Sequence, residues 1–147
     1  MWAQHHAGTY RSVDGGAHWS RTAALMPTDF GFTIVADPMN PLRAWTVPAQ
    51  TDTHRYAIAG AMCVCRTDDG GKHWTANRCG LPQQFAYHLV YRQGLTLAPD
   101  GVTMAMGSTT GGAWISEDAG ESWLALEAQL PPVAAVAWVD SEDAEAG

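Results

Sequence analysis

The octet Ser12-Val13-Asp14-Gly15-Gly16-Ala17-His18-Trp19, SVDGGAHW, sets turn-forming residues between a hydroxyl and a tryptophan, and it returns twice downstream. The later copies are TDDGGKHW at 67–74 and SEDAGESW at 116–123. All three fit (Ser/Thr)-x-Asp-x-Gly-x-x-Trp, and their aspartates Asp14, Asp69 and Asp118 are separated by 55 and 49 residues. A pattern that recurs at a near-constant period of this size signals a repeat architecture.

Each position has a conformational reason. Aspartate accepts hydrogen bonds from turn amides a few residues on, and a neighbouring Ser12, Thr67 or Ser116 hydroxyl supports it. Gly16, Gly71 and Gly120 supply the positive φ that side chains resist. Trp19, Trp74 and Trp123 are expected to fold back and bury their rings. His18 and His73 hold matching positions, taken by Ser122 in the third copy, and read as exposed turn residues.

Around each box the strand grammar repeats. Strand-like runs precede the boxes at 8–11, 62–66 and 113–115, and a second strand follows each tryptophan, so every box is a hairpin connection. Two further strands per unit are expected at 31–36 and 43–49, and at 88–97 and 102–107, around Pro/Gly turns that hold Asp37 and Asp100. Four strands per unit of roughly 50 residues is the pattern of a β-propeller blade. With the strands of a blade lettered A to D from the axis outward, the chain reads B-C-D, A-B-C-D, A-B-C-D and a closing A at 134–139. The expected fold is all-β, about three four-stranded antiparallel blades over residues 1–140, followed by an acidic flexible tail at 141–147.

Bulk properties narrow the function. The net charge of −7, with Lys72 the sole lysine and seven scattered arginines, excludes a phosphate-binding basic patch and hence nucleic acid. No run approaches the 18 or so apolar residues of a membrane span. The start MWAQHHAGTY lacks the basic and apolar segments of a signal peptide, which makes a cytoplasmic location the expectation. Three cysteines do not form a disulfide framework, and Cys63, Cys65 and Cys79 are expected to be buried thiols, with a Cys63–Cys79 contact conceivable. Their spacing does not suit zinc, so no metal and no cofactor is expected.

The three boxes, together with the phrases FGFTIVADPMNPLRAWTVPA, GLPQQFAYHLVYRQGL and GSTTGGAWISEDAGESW, resemble the Asp-box or BNR repeats of sialidases and related β-propellers. More widely the chain resembles bacterial WD40/YVTN/BNR-like proteins often labelled sialidases or glycosyl hydrolases, and it matches only a C-terminal part of one. The resemblance implies closed rings of typically six to eight blades, and two copies of this chain would close a six-bladed ring by supplying the A strand at 134–139 to the incomplete first blade. A sialidase would need an arginine triad, a Tyr/Glu nucleophile pair and an aspartic acid/base. The (Phe/Tyr)-Arg-Ile-Pro motif of that family is absent, Arg11 and Arg66 lie at outer hairpins, and nothing in the sequence pairs Arg43, Arg55 or Arg92.

No catalytic residue is assigned. Asp52-Thr53-His54-Arg55 is the most polar loop, near inner strands where propellers present ligand groups, so Asp52, His54, Arg55, Arg92 and His5 are the binding candidates. Asp29 lies in a neighbouring loop. His5 and His6 end a strand and are expected on opposite faces. The segment 107–112, GSTTGG, precedes a strand and not a helix, so it reads as a hairpin turn and not a phosphate loop. The expected function is a non-catalytic binding scaffold for a small ligand or protein. The alternative is a sialidase-like glycoside hydrolase whose catalytic residues lie mostly outside this chain.

Overall fold

The computed structural model describes residues 1–25 and 27–139; the expected acidic tail lies outside them. Eleven short strands form three antiparallel meanders. Blade 1 holds β1 (Trp2–His5), β2 (Gly8–Arg11) and β3 (Ser20–Arg21). Blade 2 holds β4 (Val35–Ala36), β5 (Ala44–Thr46), β6 (Val64–Thr67) and β7 (Thr75–Asn77). Blade 3 holds β8 (Leu95–Leu97), β9 (Met104–Gly107), β10 (Ala113–Ser116) and β11 (Leu124–Ala125). Within each sheet neighbours in sequence are neighbours in space, and β4 touches β8, so these two are the innermost strands where blades 2 and 3 converge.

Several strands are shorter than their sequence patterns. Pro48 lacks an N–H, so β5 ends at Thr46 and continues only as an isolated bridge from Pro48 to Gly31. The stretch 88–97 narrows to Leu95–Leu97 because the Gly94 N–H turns back onto the Tyr91 carbonyl. The closing strand expected at 134–139 does not form: Ala135 makes a single parallel bridge to Gln93, and the Val136 N–H bonds to the Gln93 carbonyl. Its backbone lies beside the entry to β8 and has no further ladder partner among the described residues.

The core lies between blades 2 and 3. Trp45, Val64, Met104, Met106, Trp114 and Trp123 pack in one cluster, and Trp45 is fully enclosed with its Nε1 donating to the Ala119 carbonyl at 2.8 Å. Burial of a ring this size contributes about 3–5 kcal/mol. A smaller seam joins blades 1 and 2, where Leu25, Cys63 and Cys65 pack with Trp74, and Trp2 meets Trp74 edge-on at 6.1 Å.

The three boxes share one hydrogen-bond plan. The hydroxyls of Ser12, Thr67 and Ser116 donate to Oδ1 of Asp14, Asp69 and Asp118 at 2.8, 3.0 and 2.8 Å. The same hydroxyls accept the N–H of Gly16, Gly71 and Gly120 at 2.8, 3.0 and 2.9 Å. Each Oδ1 also accepts the backbone N–H of His18, His73 or Ser122. Each Oδ2 meets that residue's side chain, at 2.6, 2.6 and 2.5 Å. His18 and His73 are exposed turn residues as expected, and the seventh position is in addition a working part of the fastener. Burial of the box tryptophans is uneven. Trp123 is 4% exposed and Trp74 half-buried, but Trp19 is 41% exposed. Trp74 leans on blade 1 and Trp123 backs onto Cys79 at the end of blade 2, whereas among the described residues no blade precedes the one that carries Trp19.

Candidate functional site

Antiparallel meanders sort their connections onto two poles. The A–B and C–D turns, including every box, open on one pole; the B–C and D–A loops open on the other. On the box pole Arg43 and Arg66 are consumed by neighbouring carboxylates. Arg43 reaches Asp68 at 2.7 Å and Asp37 at 3.5 Å, and Arg66 reaches Asp68 at 2.8 Å and Glu121 at 3.3 Å. Asp37 accepts the N–H groups of Met39 and Asn40, and Asp100 those of Val102 and Thr103. Arg43, unpaired on sequence grounds, is thus fully engaged, because the A–B turn of blade 2 lies against the box of the same blade.

Electrostatics on this pole run in one direction. The His18 backbone N–H and side chain, with Ser12, hold the Asp14 carboxyl at about 2. Bonds from His73, Thr67 and Lys72 hold Asp69 lower still than ordinary carboxyls. Burial alone would raise Asp68, but the hydrogen bonds and charges of Arg66 and Arg43 outweigh it and pull the carboxyl down. At Asp118 burial is likewise outweighed, by Ser122 and Ser116. Thr103 and the amides beside it lower Asp100. A general acid for glycoside cleavage needs the opposite shift.

The other pole carries the sequence-chosen binding candidates. Arg55 donates to the Asp52 side chain at 2.7 Å and to its carbonyl at 2.8 Å, so it too has a partner the sequence did not reveal. Its guanidinium lies 5.4 Å from the centre of the Phe32 ring. His54 sits among the hydroxyls of Thr51 and Thr53 and meets Tyr56 edge-on. The Arg92 carbonyl accepts from Thr33, and its side chain is exposed beside Tyr91. His5 is exposed and packs on Tyr10. Because β1 ends at His5, strand alternation stops there, and the His5 and His6 rings lie 6.0 Å apart instead of on opposite faces. Asp29 is tied to Arg21 at 2.8 Å and to the Leu25 N–H.

What joins these groups is an aromatic strip. His6 packs on Phe30 and Phe32, Phe30 meets Phe32 at 87°, and Phe32 meets Tyr91 at 89°. Phe30, Phe32, Ala49 and Leu89 form its buried base. Farther along the pole, Tyr56 and Tyr87 meet at 5.5 Å and wall a groove of about 420 Å³. Neither feature was foreseen: Phe32 and Tyr91 read as strand positions, and Phe30, Tyr56 and Tyr87 fell in connections that the sequence left without a role. A faint signal existed in the dense aromatic run FAYHLVY at 85–91.

His88 was also missed. Its Nδ1 bonds to Thr110 Oγ1 and, at 3.2 Å, to Ser108 Oγ, while its ring stands edge-on to Trp114. Burial lowers its pKa, which favours the neutral ring. Ser108 is buried and clamps the 108–112 turn through both backbone groups of Gly112, so the hairpin expected for GSTTGG forms. Cys63 and Cys65 are buried, and a hydrogen bond between them lowers the Cys63 thiol and raises that of Cys65. Cys79 departs from expectation: it is exposed, because it follows the outermost strand of blade 2.

Comparison with known proteins fixes the architecture. The chain superimposes on the GH74 xyloglucanase from Xanthomonas campestris with a TM-score of 0.61 and 19% identity, over 83% of this chain and 18% of that one. The fold is that of partial β-propeller blades. At this identity the likeness carries the fold alone, and the chain spans less than a fifth of the xyloglucanase. No protein-family model matches the sequence, and no curated protein matches it.

Proposed function

We propose that this chain is a segment of an Asp-box β-propeller acting as a non-catalytic binding scaffold, and that the pole of the B–C and D–A loops is its ligand-presenting face. One observation carries the reading. The box aspartates, Asp37, Asp68, Arg43 and Arg66 of the box pole are spent on turns and on each other, while the loop pole leaves aromatic rings exposed, Phe85 at 82% and Tyr87 at 60%. Asp52, His54, Arg55, Arg92 and His5 would form the polar fringe of that face. Fold and function are separable, so the sites and not the propeller must supply the argument.

The second reading is a glycoside hydrolase with its catalytic residues outside this chain, favoured by the likeness to a GH74 xyloglucanase. Turnover of a panel of aryl glycosides, a sialoside among them, by the full-length gene product separates the two: the scaffold gives none. Turnover that disappears on replacing one carboxylate would establish the hydrolase. For the scaffold itself, immobilised glycans and peptides should yield ligands lost on Tyr56→Ala and retained on Arg66→Ala. The reverse pattern would place binding on the box pole and sink the assignment of the face.

A further inference from the structure

We propose that the thiol pair Cys63 and Cys65, buried at the seam between blades 1 and 2, is a site for one soft monovalent metal ion of the copper(I) class, held between two thiolates. The proposal is independent of the loop pole and of any ligand bound there.

Residues two apart on an extended chain share a face, so the approach to β6 sets both sulfurs on one side. They pack into one cluster with Leu25, Trp74 and Ala76, and are 2% and 0% exposed. A hydrogen bond joins the two side chains, so the sulfurs lie in contact. Among the described residues no group of three His, Cys, Asp or Glu side chains is placed to share an ion. Cys79 is exposed, and its backbone carbonyl faces blade 3 through the Trp123 N–H.

The number and softness of the ligands decide which ion fits. Structural zinc takes four ligands, and calcium and magnesium take oxygen. Two sulfurs alone suit a soft ion, and thiolates select copper(I). Charge agrees with this choice. Two thiolates around a monovalent cation carry one net negative charge, and the positive charge of Arg78 reaches both sulfurs. Arg78 is free to balance it, since its hydrogen bonds go to the Met62 carbonyl and to Gln83 Oε1, both neutral.

A disulfide is the rival chemistry, and it fits less well. Two residues of strand rise separate the Cα atoms by about 6.6 Å, near the upper limit for a disulfide. Side chains leaning the same way from that spacing would have to converge to about 2 Å between sulfurs. An ion bridging them by two bonds of about 2.3 Å, the length of a zinc–thiolate bond, accepts a wider gap. On binding, each thiol releases its proton to solvent, two metal–sulfur bonds form and no electron moves. Leu25, which packs on the pair, lies in the connection from β3 to β4 and outside any ladder. Displacing that connection opens the pair without unpairing a strand.

The test uses the full chain carrying Cys79→Ser, loaded without oxygen with copper(I) against a competing copper(I) chelator. One equivalent should be retained, with a thiolate-to-copper absorption band in the near ultraviolet and a higher melting temperature. Because two protons leave, affinity should rise by up to about a hundredfold per pH unit below the thiol range. Cys63→Ser or Cys65→Ser in the same background should abolish retention. Should either variant fail to fold, alkylation decides: copper should shield Cys63 and Cys65 from iodoacetamide when the connection is loosened in mild urea. Zinc offered alone should leave no bound equivalent. Retention by the Cys63→Ser protein, equal retention of zinc, unshielded thiols, or no copper bound by the Cys79→Ser chain would each overturn the proposal.

Discussion

The two poles of this molecule are built from the same strands and differ in how their polar groups are spent. At the box pole each box aspartate satisfies amides within four residues of itself, and Arg43 and Arg66 lie between carboxylates. At the loop pole the D–A loops and the B–C loop of blade 2 are longer, rings meet edge-on across three blades, and polar side chains such as Gln50 and Gln84 stay unbonded within the described residues. The lesson is that short periodic turns fasten a fold, and the longer loops are left to bind.

That contrast can be broken most forcefully at the tryptophans. Trp123→Ala empties a site that is 4% exposed between blades 2 and 3, and should cost about 3–5 kcal/mol in chemical denaturation. Trp19→Ala, at 41% exposure, should cost far less, under about 1 kcal/mol. Equal losses would mean that the box acts as a unit regardless of what its ring touches.

Acid titration sharpens the comparison next. Box carboxyls have folded values below their unfolded ones, so the stability they confer is complete above about pH 4 and is lost as pH falls toward 2, the value of Asp14. His88 is also depressed in the fold, but its unfolded value is near 6.5, so its penalty sets in as pH falls below that point. Tryptophan fluorescence during denaturation at stepped pH should show two separate declines. Replacing His88 with Gln should remove the upper decline and spare the lower. Asp14→Asn should weaken the lower one and leave the upper.

The smallest effect is expected at the Asp52–Arg55 pair, which is about half exposed on each side. Arg55→Ala should shift stability by less than about 1 kcal/mol in urea denaturation. A larger loss would mean that the guanidinium's seat over Phe32 holds the loop pole together, and would move Arg55 from the ligand fringe to the frame.

Legibility followed range. Thr67, Asp69, Gly71 and His73 lie within seven residues and bond to one another, so the box could be read from spacing, as could the turn at Asp100. Even there the seventh position, matched in register, was not read as a partner of the aspartate, because histidine and serine share no obvious chemistry until both are seen against its second oxygen. Arg43 and Arg55 seemed unpaired for different reasons. Arg43 finds Asp68 25 residues away, and Arg55 folds back on Asp52 within a loop whose conformation no periodicity specifies.

By itself the sequence determined the three hairpins, their period and the all-β blade grammar, since a turn's hydrogen bonds close locally and repeat wherever the residues repeat. Only the tertiary structure decided which box tryptophan is buried, which residues share a pole, and that Phe30, Phe32, Tyr91, Tyr56 and Tyr87 line one face. Those outcomes depend on contacts between blades, where residues distant in sequence meet. The octet SVDGGAHW shows the division: its hydrogen bonds match those of its two copies, yet its tryptophan is 41% exposed where that of the third copy is 4%.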